Sequence, residues 1–406
     1  MKKLVIVLLL MCSLTGAFAC TSVIITGKAT KDGRPLMWKN TDGTSFPQRM
    51  SYSDKGQYPW IGLSLGSTST TAWFGTNSTG FCIMNTKSHN LVDDATKVNN
   101  GTVMKLALDK CSNLAEFIYL LDTITKPLNV SSNYGVIDAE GAAAYIEVYP
   151  NGYYVVDVND TKIAPNGFLV YTNYSAYGKY EGGQGYIRYQ NAMDIIGRGA
   201  HNKEFTPHWI FDNLSRGFYQ SLLGLDLRRS VDDGEDLLGS GFFPDCDFIP
   251  RRTSAVASVI QGVRKGENPE LTTLWTALGY PPCSIAVPAW VKGGSKGLPQ
   301  VIQAIKGEKK HNSPVCKKAL ELKDKVFSVK RGNGESHFDF YRLYNAQQTG
   351  YIQLIAPIEE HVRVIAYDKL DKWRAKGEID IKELYSLEES VDKYVLDNFV
   401  NSDSLK

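Results

Sequence analysis

A cysteine stands where a secretory leader would be cut. Ala17-Phe18-Ala19-Cys20-Thr21-Ser22 follows Lys2, Lys3 and an apolar run from Leu4 to Met11, which together make the charged start, apolar core and small-residue cleavage pattern of a signal peptide. The run is too short to span a membrane. Cutting after Ala19 would free the α-amine of Cys20, and an α-amine with a pKa of about 7.7 to 8.0 is a base near neutrality. Beside it would lie a thiol of pKa about 8.5. One residue then holds nucleophile and base together, and no histidine is needed. The same position allows a second chemistry, because bacterial lipoproteins are lipidated on a cysteine directly after the signal core. Such signals favour an aliphatic residue three places before the cysteine and small residues next to it, whereas here those places hold Ala17 and the bulky Phe18. The peptide alone leaves nucleophile and lipid anchor both open.

Other chemistry is poorly represented. The chain carries 45 basic and 43 acidic residues, and removal of the leader takes two lysines with it, so neither nucleic acid nor an acidic surface is expected as a partner. The six histidines (His89, His201, His208, His311, His337, His361) are scattered, with no HExxH and no zinc-like Cys/His spacing. No metal and no organic cofactor is expected. Besides Cys20, the cysteines after the leader are Cys82, Cys111, Cys246, Cys283 and Cys316. That odd number cannot pair completely, and sequence assigns no disulfide among them.

The elements that must position Cys20 can be read in order. Thr21 to Thr26 is a β-branched strand, Asp32-Gly33 a hairpin turn, and Pro35 to Lys39 the returning strand. The hairpin returns Lys39-Asn40-Thr41-Asp42 to the new amino terminus, where the Asp42 carboxylate would hydrogen-bond the α-amine. Asn77-Ser78-Thr79-Gly80-Phe81 is a turn leading into Cys82-Ile83-Met84-Asn85, a strand that ends in asparagine. Phe168 to Asn173 is another such strand. Arg188 lies at the start of an amphipathic helix opened by Gly185.

Cys-Thr-Ser, a short hairpin and Lys-Asn-Thr-Asp resemble the opening of the cysteine N-terminal nucleophile (Ntn) hydrolases. That group includes choloylglycine hydrolases, penicillin V acylases, isopenicillin N acyltransferase relatives and certain cysteine dipeptidases. Asn40 and Asp42 match its Arg-Asn-x-Asp pattern, while Lys39 stands where the family usually has arginine. Lysine keeps the charge and loses the planar fork. The turn before Asn85 resembles the family's Asn-x-x-Gly-Leu, and the strand ending at Asn173 resembles its Leu-Thr-Asn. The resemblance implies Cys20 as nucleophile, Asn85 as an oxyanion donor, Asp42 and Asn173 as orienting groups for amine and substrate, Arg188 near the thiol and Lys39 as a substrate contact. It implies hydrolysis of a linear amide: an acyl-amino acid, a bile-salt-like or penicillin-like conjugate, or a short peptide. Acyl transfer to another amine, and an inactive relative with lysine at position 39, are allowed alternatives. So is a lipid-anchored surface binding protein with Cys20 acylated.

The rest of the chain supplies scaffolding. Gly101 to Lys126 is helical, broken at an Asn113-x-x-Glu116 capping box. Tyr134 to Val158 holds strands joined by turns at Asp138 to Gly141 and Pro150 to Gly152, with Glu147 expected as a solvent-side or paired strand acid. Thr206-Pro207 starts a helix over His208 to Phe218, and Ser230 to Arg251 reads as a loop. Thr253 to Val263, Leu271 to Leu278 and Ser284 to Val287 read as strands. Lys317 to Phe327 reads as a basic helix with a solvated face, a further helix is expected between Pro357 and Trp373, and a last one over Ser386 to Val400. These give an α+β fold in one elaborated domain over residues 20–406, after a signal peptide over 1–19. The four-layer αββα arrangement, two mostly antiparallel sheets with helices outside, is implied by the resemblance. A secreted or periplasmic location follows from the leader, and oligomeric state is not readable.

Overall fold

The computed structural model describes residues 19–43, 46–65, 71–91, 100–128, 130–235, 239–245, 247–328 and 337–405. The leader, apart from Ala19, and Cys246 lie outside the described residues. The opening hairpin forms, but across the ten-residue connection 26–35 and not a two-residue turn at Asp32-Gly33. β1 (Cys20–Ile25) and β2 (Leu36–Asp42) pair antiparallel with Cys20 opposite Thr41 and Ser22 opposite Lys39. Gly33 turns the chain at a φ of 73°, a conformation only glycine adopts at no steric cost.

The next seven strands are β3 (Gln48–Ser53), β4 (Trp60–Leu65), β5 (Phe74–Asn77), β6 (Cys82–Lys87), β7 (Ser132–Ile137), β8 (Ala143–Tyr149) and β9 (Gly152–Asp157). They form a meander in chain order. β10 (Phe168–Tyr171), β11 (Ser254–Gln261), β12 (Thr273–Leu278) and β13 (Ala286–Ala289) then join the hairpin in a six-stranded antiparallel sheet ordered β10-β1-β2-β11-β12-β13. The strand that begins at Cys20 is thus interior, held between β10 and β2.

Period-two alternation sorts the side chains into layers. On β6, Cys82 and Met84 join the core between the sheets with Ile24 and Tyr145, while Ile83 joins the opposite face of the second sheet with Met104, Leu108, Phe117 and Leu121. Those last four come from α1 (Asn100–Lys110) and α2 (Leu114–Thr123), which cover that face. Between the two helices Asn113 accepts from the Glu116 backbone N–H at 2.9 Å, and Glu116 accepts from the Ser112 N–H at 2.6 Å. Outside the first sheet lie α3 (Tyr186–Asn202), α4 (Pro314–Val326), α5 (Tyr351–Lys376) and α6 (Ile381–Val395). Trp275 of β12 stacks on Tyr367 of α5, and the buried Arg216–Glu359 pair ties the segment after Pro207 to α5. The layers are helix, sheet, sheet, helix, an α+β sandwich.

Several expectations need correction. Lys318 and Lys323 of α4 are buried, so that helix does not present a uniformly solvated basic face. α5 begins six residues before Pro357 and carries that proline inside its first two turns. Glu147 is fully buried, accepting from Tyr171 Oη at 2.8 Å and from the Ala176 and Tyr177 N–H groups at 2.6 and 2.9 Å. The Ser230 to Arg251 stretch is less irregular than expected, since a helical turn (Leu227–Asp232) enters it and Phe242–Pro244 pairs with His337–Asp339. Cys82, Cys111, Cys283 and Cys316 are all buried free thiols.

Candidate active site

The site is built where β1 starts. Cys20 is 5% exposed, and its backbone N–H donates to Asn173 Oδ1 at 2.9 Å. Asn173 lies just beyond β10, the strand next to β1, so sheet pairing brings a residue 153 positions away to the Cys20 nitrogen. Its own amide donates to Lys87 O at 2.9 Å, and its backbone pairs with Gln184. Both ends of the side chain are therefore fixed.

Arg188 closes the arrangement from α3. Nη1 donates to Cys20 O at 2.7 Å and to Thr21 Oγ1 at 2.9 Å, and Nη2 donates to Asn173 Oδ1 at 2.8 Å. The guanidinium is buried, and burial lowers its pKa to about 10, so it stays cationic at neutral pH. Gly185 permits this approach. It caps α3 at a φ of 84°, and a Cβ there would stand 2.4 Å from Arg188 Nη2.

Alternation along the hairpin divides the remaining residues. Ser22 meets Tyr145 of the second sheet at 3.1 Å, so Cys20 and Ser22, with their partners Thr41 and Lys39, face the inter-sheet space. Lys39 is 1% exposed and is no turn lysine. Its ammonium donates to Trp73 O and to Asn85 Oδ1, both at 3.0 Å. Because an ammonium can only donate, it fixes the Asn85 amide with its oxygen toward Lys39 and its NH2 away. One N–H of that NH2 goes to Ser132 Oγ at 3.0 Å.

Asp42 lies on the opposite face of β2. Its carboxylate accepts from Arg251 Nε at 2.8 Å, Ser254 Oγ at 2.6 Å and Asn40 Nδ2 at 3.3 Å. At the cysteine it contributes its backbone, whose N–H donates to Ala19 O at 2.7 Å. The hydrogen bond to the Cys20 nitrogen expected from Asp42 is made by Asn173. Sequence reasoning missed Arg251, Ser254 and Ser132. Only strand register brings Ser254 opposite Asp42, and nothing local marks Arg251, which lies in an irregular Pro-Arg-Arg-Thr stretch.

The electrostatics follow from burial. With Ala19 still attached, the Cys20 thiol sits above its ordinary pKa because it is desolvated. Lys39, the Asp42 N–H and Arg188 pull it down without cancelling that, and the Asp42 carboxylate adds to the rise. Burial lowers the Lys39 pKa, and proximity to Cys20 raises it in part. Chemically the set can hold a cysteine nitrogen in fixed orientation, place two cations beside its thiol and orient a side-chain amide nearby. Among the described residues no cluster of His, Cys, Asp or Glu fits a metal ion.

Residues 29–203, which carry Lys39, Asp42, Asn85, Asn173 and Arg188 but not Cys20, match the family described as acyl-coenzyme A:6-aminopenicillanic acid acyl-transferase. No curated protein matches the chain. Similar solved structures include a conjugated bile acid hydrolase mutant from Clostridium perfringens, at 14% identity over 64% of this chain and 89% of that one with a TM-score of 0.39. They also include penicillin V acylase from Agrobacterium tumefaciens, at 10% identity over 67% and 86% with a TM-score of 0.35. An N-acylethanolamine-hydrolyzing acid amidase orthologue from Caenorhabditis elegans is similar at 13% identity over 46% and 86%, with a TM-score of 0.33. Over residues 29–203, then, the chain is similar to that acyl-transferase family, in keeping with the resemblance to the cysteine Ntn hydrolases carried by its opening residues.

Proposed function

We propose that this chain is an exported amidohydrolase whose nucleophile is Cys20, active once that residue is the amino terminus, and that it cleaves a linear amide through a thioester. The observation that carries the reading is the hold on the Cys20 nitrogen: Asn173 Oδ1 accepts from it, and Arg188 braces both Asn173 and Cys20 O. Any buried backbone N–H needs an acceptor, but this one is a side-chain oxygen braced by a buried guanidinium, at the nitrogen that cleavage after Ala19 would free. Freed by cleavage, that nitrogen takes the thiol proton, and the thiolate attacks the amide carbon. The carbonyl oxygen gains the charge, and the second N–H of Asn85, oriented through Lys39, is a donor suited to it. The α-ammonium gives its proton to the departing nitrogen as the C–N bond breaks. Water, deprotonated by the same amine, attacks the thioester and releases the acid and the thiol. The leader pattern supports export to the periplasm or outside the cell.

The test is intact mass and N-terminal sequencing of the exported protein before and after iodoacetamide, followed by an acyl-amide screen with the Cys20→Ala variant as blank. A Cys20 start that alkylates, with amide turnover lost in the variant, is expected. A diacylglyceryl mass on Cys20 would refute the enzyme reading, because a lipidated cysteine cannot act as nucleophile. Added amine acceptors separate hydrolysis from transfer.

A further inference from the structure

The oxygen that holds the Cys20 nitrogen is itself held from the other sheet. Glu147 of β8 and Asn133 of β7 sit directly opposite each other in the strand register. Alternation along β8 puts Glu147 on the side of Tyr145, in the core between the sheets, and both Glu147 and Asn133 are fully buried. From there they reach across to the chain on either side of Asn173. Glu147 Oε1 accepts from Tyr171 Oη at 2.8 Å and from the Ala176 N–H at 2.6 Å. Glu147 Oε2 accepts from the Tyr177 N–H at 2.9 Å. Asn133 Nδ2 donates to Tyr174 O at 3.0 Å, and Asn133 Oδ1 accepts from Ser175 Oγ.

Each of these contacts crosses from the seven-stranded sheet to β10 or the segment that leaves it. Within the six-stranded sheet, the pairing of β10 with β1 ends at Tyr171, opposite Ser22. Asn173 stands past that end, so its backbone takes its place from other contacts. Arg188 and Lys87 O hold the tip of the Asn173 side chain. Glu147 and Asn133 hold the chain from which it projects.

A carboxylate is the group that suits the Glu147 position. It has two oxygens and no donor, which matches one O–H and two N–H groups converging on it. A glutamine there would keep the shape but turn its NH2 toward one of those donors, leaving a buried N–H or O–H without an acceptor.

We propose that Glu147 is a positioning residue for Cys20: by clasping Tyr171, Ala176 and Tyr177 from the second sheet, it sets where Asn173 Oδ1 stands against the Cys20 nitrogen. Its catalytic consequence rests on the amidohydrolase reading above, whereas the positioning itself is a property of the fold.

The test compares Glu147→Gln with the unchanged protein in two readouts. In the full chain expressed without export, with Ala19 still attached, hydrogen exchange of the Cys20 N–H reports the Asn173 contact with no need for activity. That exchange is expected to speed up about tenfold, the size of one weakened buried hydrogen bond, while the amides of β12 in the same sheet keep their protection. In the mature chain, kcat for an amide substrate is expected to fall about tenfold with KM held within about twofold. Adding Asn173→Ala removes the route, so the further kcat loss from Glu147→Gln should then be under about twofold, although its effect on Tm persists. Tyr171→Phe takes away one donor of the three and is read where Glu147→Gln does not fold, with an expected exchange gain of about two- to fivefold.

Unchanged exchange at Cys20 in a folded variant overturns the proposal. So does a gain shared equally by β12, which would mark general destabilisation, and so do kcat losses that multiply in the double variant. A mature chain that turns over no amide would sink the amidohydrolase reading alone, because the exchange comparison still decides the positioning.

Discussion

Asn173→Asp isolates the role of the oxygen that holds the Cys20 nitrogen. The substitution keeps the side-chain shape and places a negative charge 2.9 Å from Cys20 N and 2.8 Å from Arg188 Nη2. At an effective dielectric near 20, unit charges at such separations attract by about 6 kcal/mol. Arg188 takes a large share of the new charge, and about 1.4 to 2.7 kcal/mol remains to favour the ammonium form of Cys20, or about 1 to 2 pKa units. The same carboxylate disfavours the neighbouring thiolate, so both effects push in one direction. An amine titrating near 8 leaves about one tenth as free base at pH 7, and a shift of 1.5 units leaves about three in a thousand, roughly a thirtyfold loss. The assay is the rate of Cys20 alkylation by iodoacetamide against pH in the mature chain, with the acidic limb of kcat/KM for an amide substrate as a second readout. Both midpoints should rise by about 1 to 2 units, with the rate recovered at high pH. The lost donation to Lys87 O costs about 1 to 3 kcal/mol of stability, so Tm is measured alongside. A folded variant whose alkylation midpoint is unmoved or lowered would refute the assignment of Asn173 to the amine.

Lys39→Met removes the donor to Asn85 Oδ1 and the strongest charge lowering the Cys20 pKa, so kcat is expected to fall about 10- to 100-fold with the alkylation midpoint moved up; Lys39→Arg should restore the charge and, where the fork can be seated, the rate. Glu359→Ala leaves buried Arg216 with only the half-exposed Asp212 carboxylate at 3.3 Å and the Ala286 N–H without its acceptor, at an expected cost of about 3 kcal/mol in denaturant unfolding, the low end for breaking a buried pair. Glu388 of α6 is buried with both carboxylate oxygens unpartnered, and burial holds its pKa well above the ordinary value. The folded state then binds a proton that the unfolded state has released, so stability falls as pH rises above about 4.3. Glu388→Met should therefore stabilise by about 1 to 3 kcal/mol, more at pH 8 than at pH 5, and a gain independent of pH would contradict this.

The local elements were legible because their signals are local. Asp32-Gly33 marks a reversal between two β-prone runs, which brings Lys39 to Asp42 back toward Cys20. The register itself comes from the sheet, since counting outward from that dipeptide misses the observed Cys20–Thr41 pairing by four residues. Asn113 and Glu116 break one apolar stripe into α1 and α2 by an equally local signal. Asn85 and Asn173, each read in sequence as ending a strand, could be singled out only through family resemblance, since a strand-end asparagine is ordinarily a cap; in the fold Asn85 lies inside β6 and Asn173 just beyond β10.

Tertiary structure alone decided which of these groups meet. Strand alternation, which sequence does imply, turns Lys39 toward the thiol and Asp42 away from it. That Asp42 should find Arg251 and Ser254 depends on β11 entering the sheet more than two hundred residues later. That Asn173 rather than Asp42 should hold the Cys20 nitrogen depends on β10 pairing on the other side of β1. Lys323 shows the same limit, because its helical pattern is plain in sequence while its burial under Phe46 and Tyr280 is not. Sequence determines backbone propensity and the alternation of faces, which act over a few residues. The partners of buried charges are set by strand order and helix docking, whose information is spread over the whole chain.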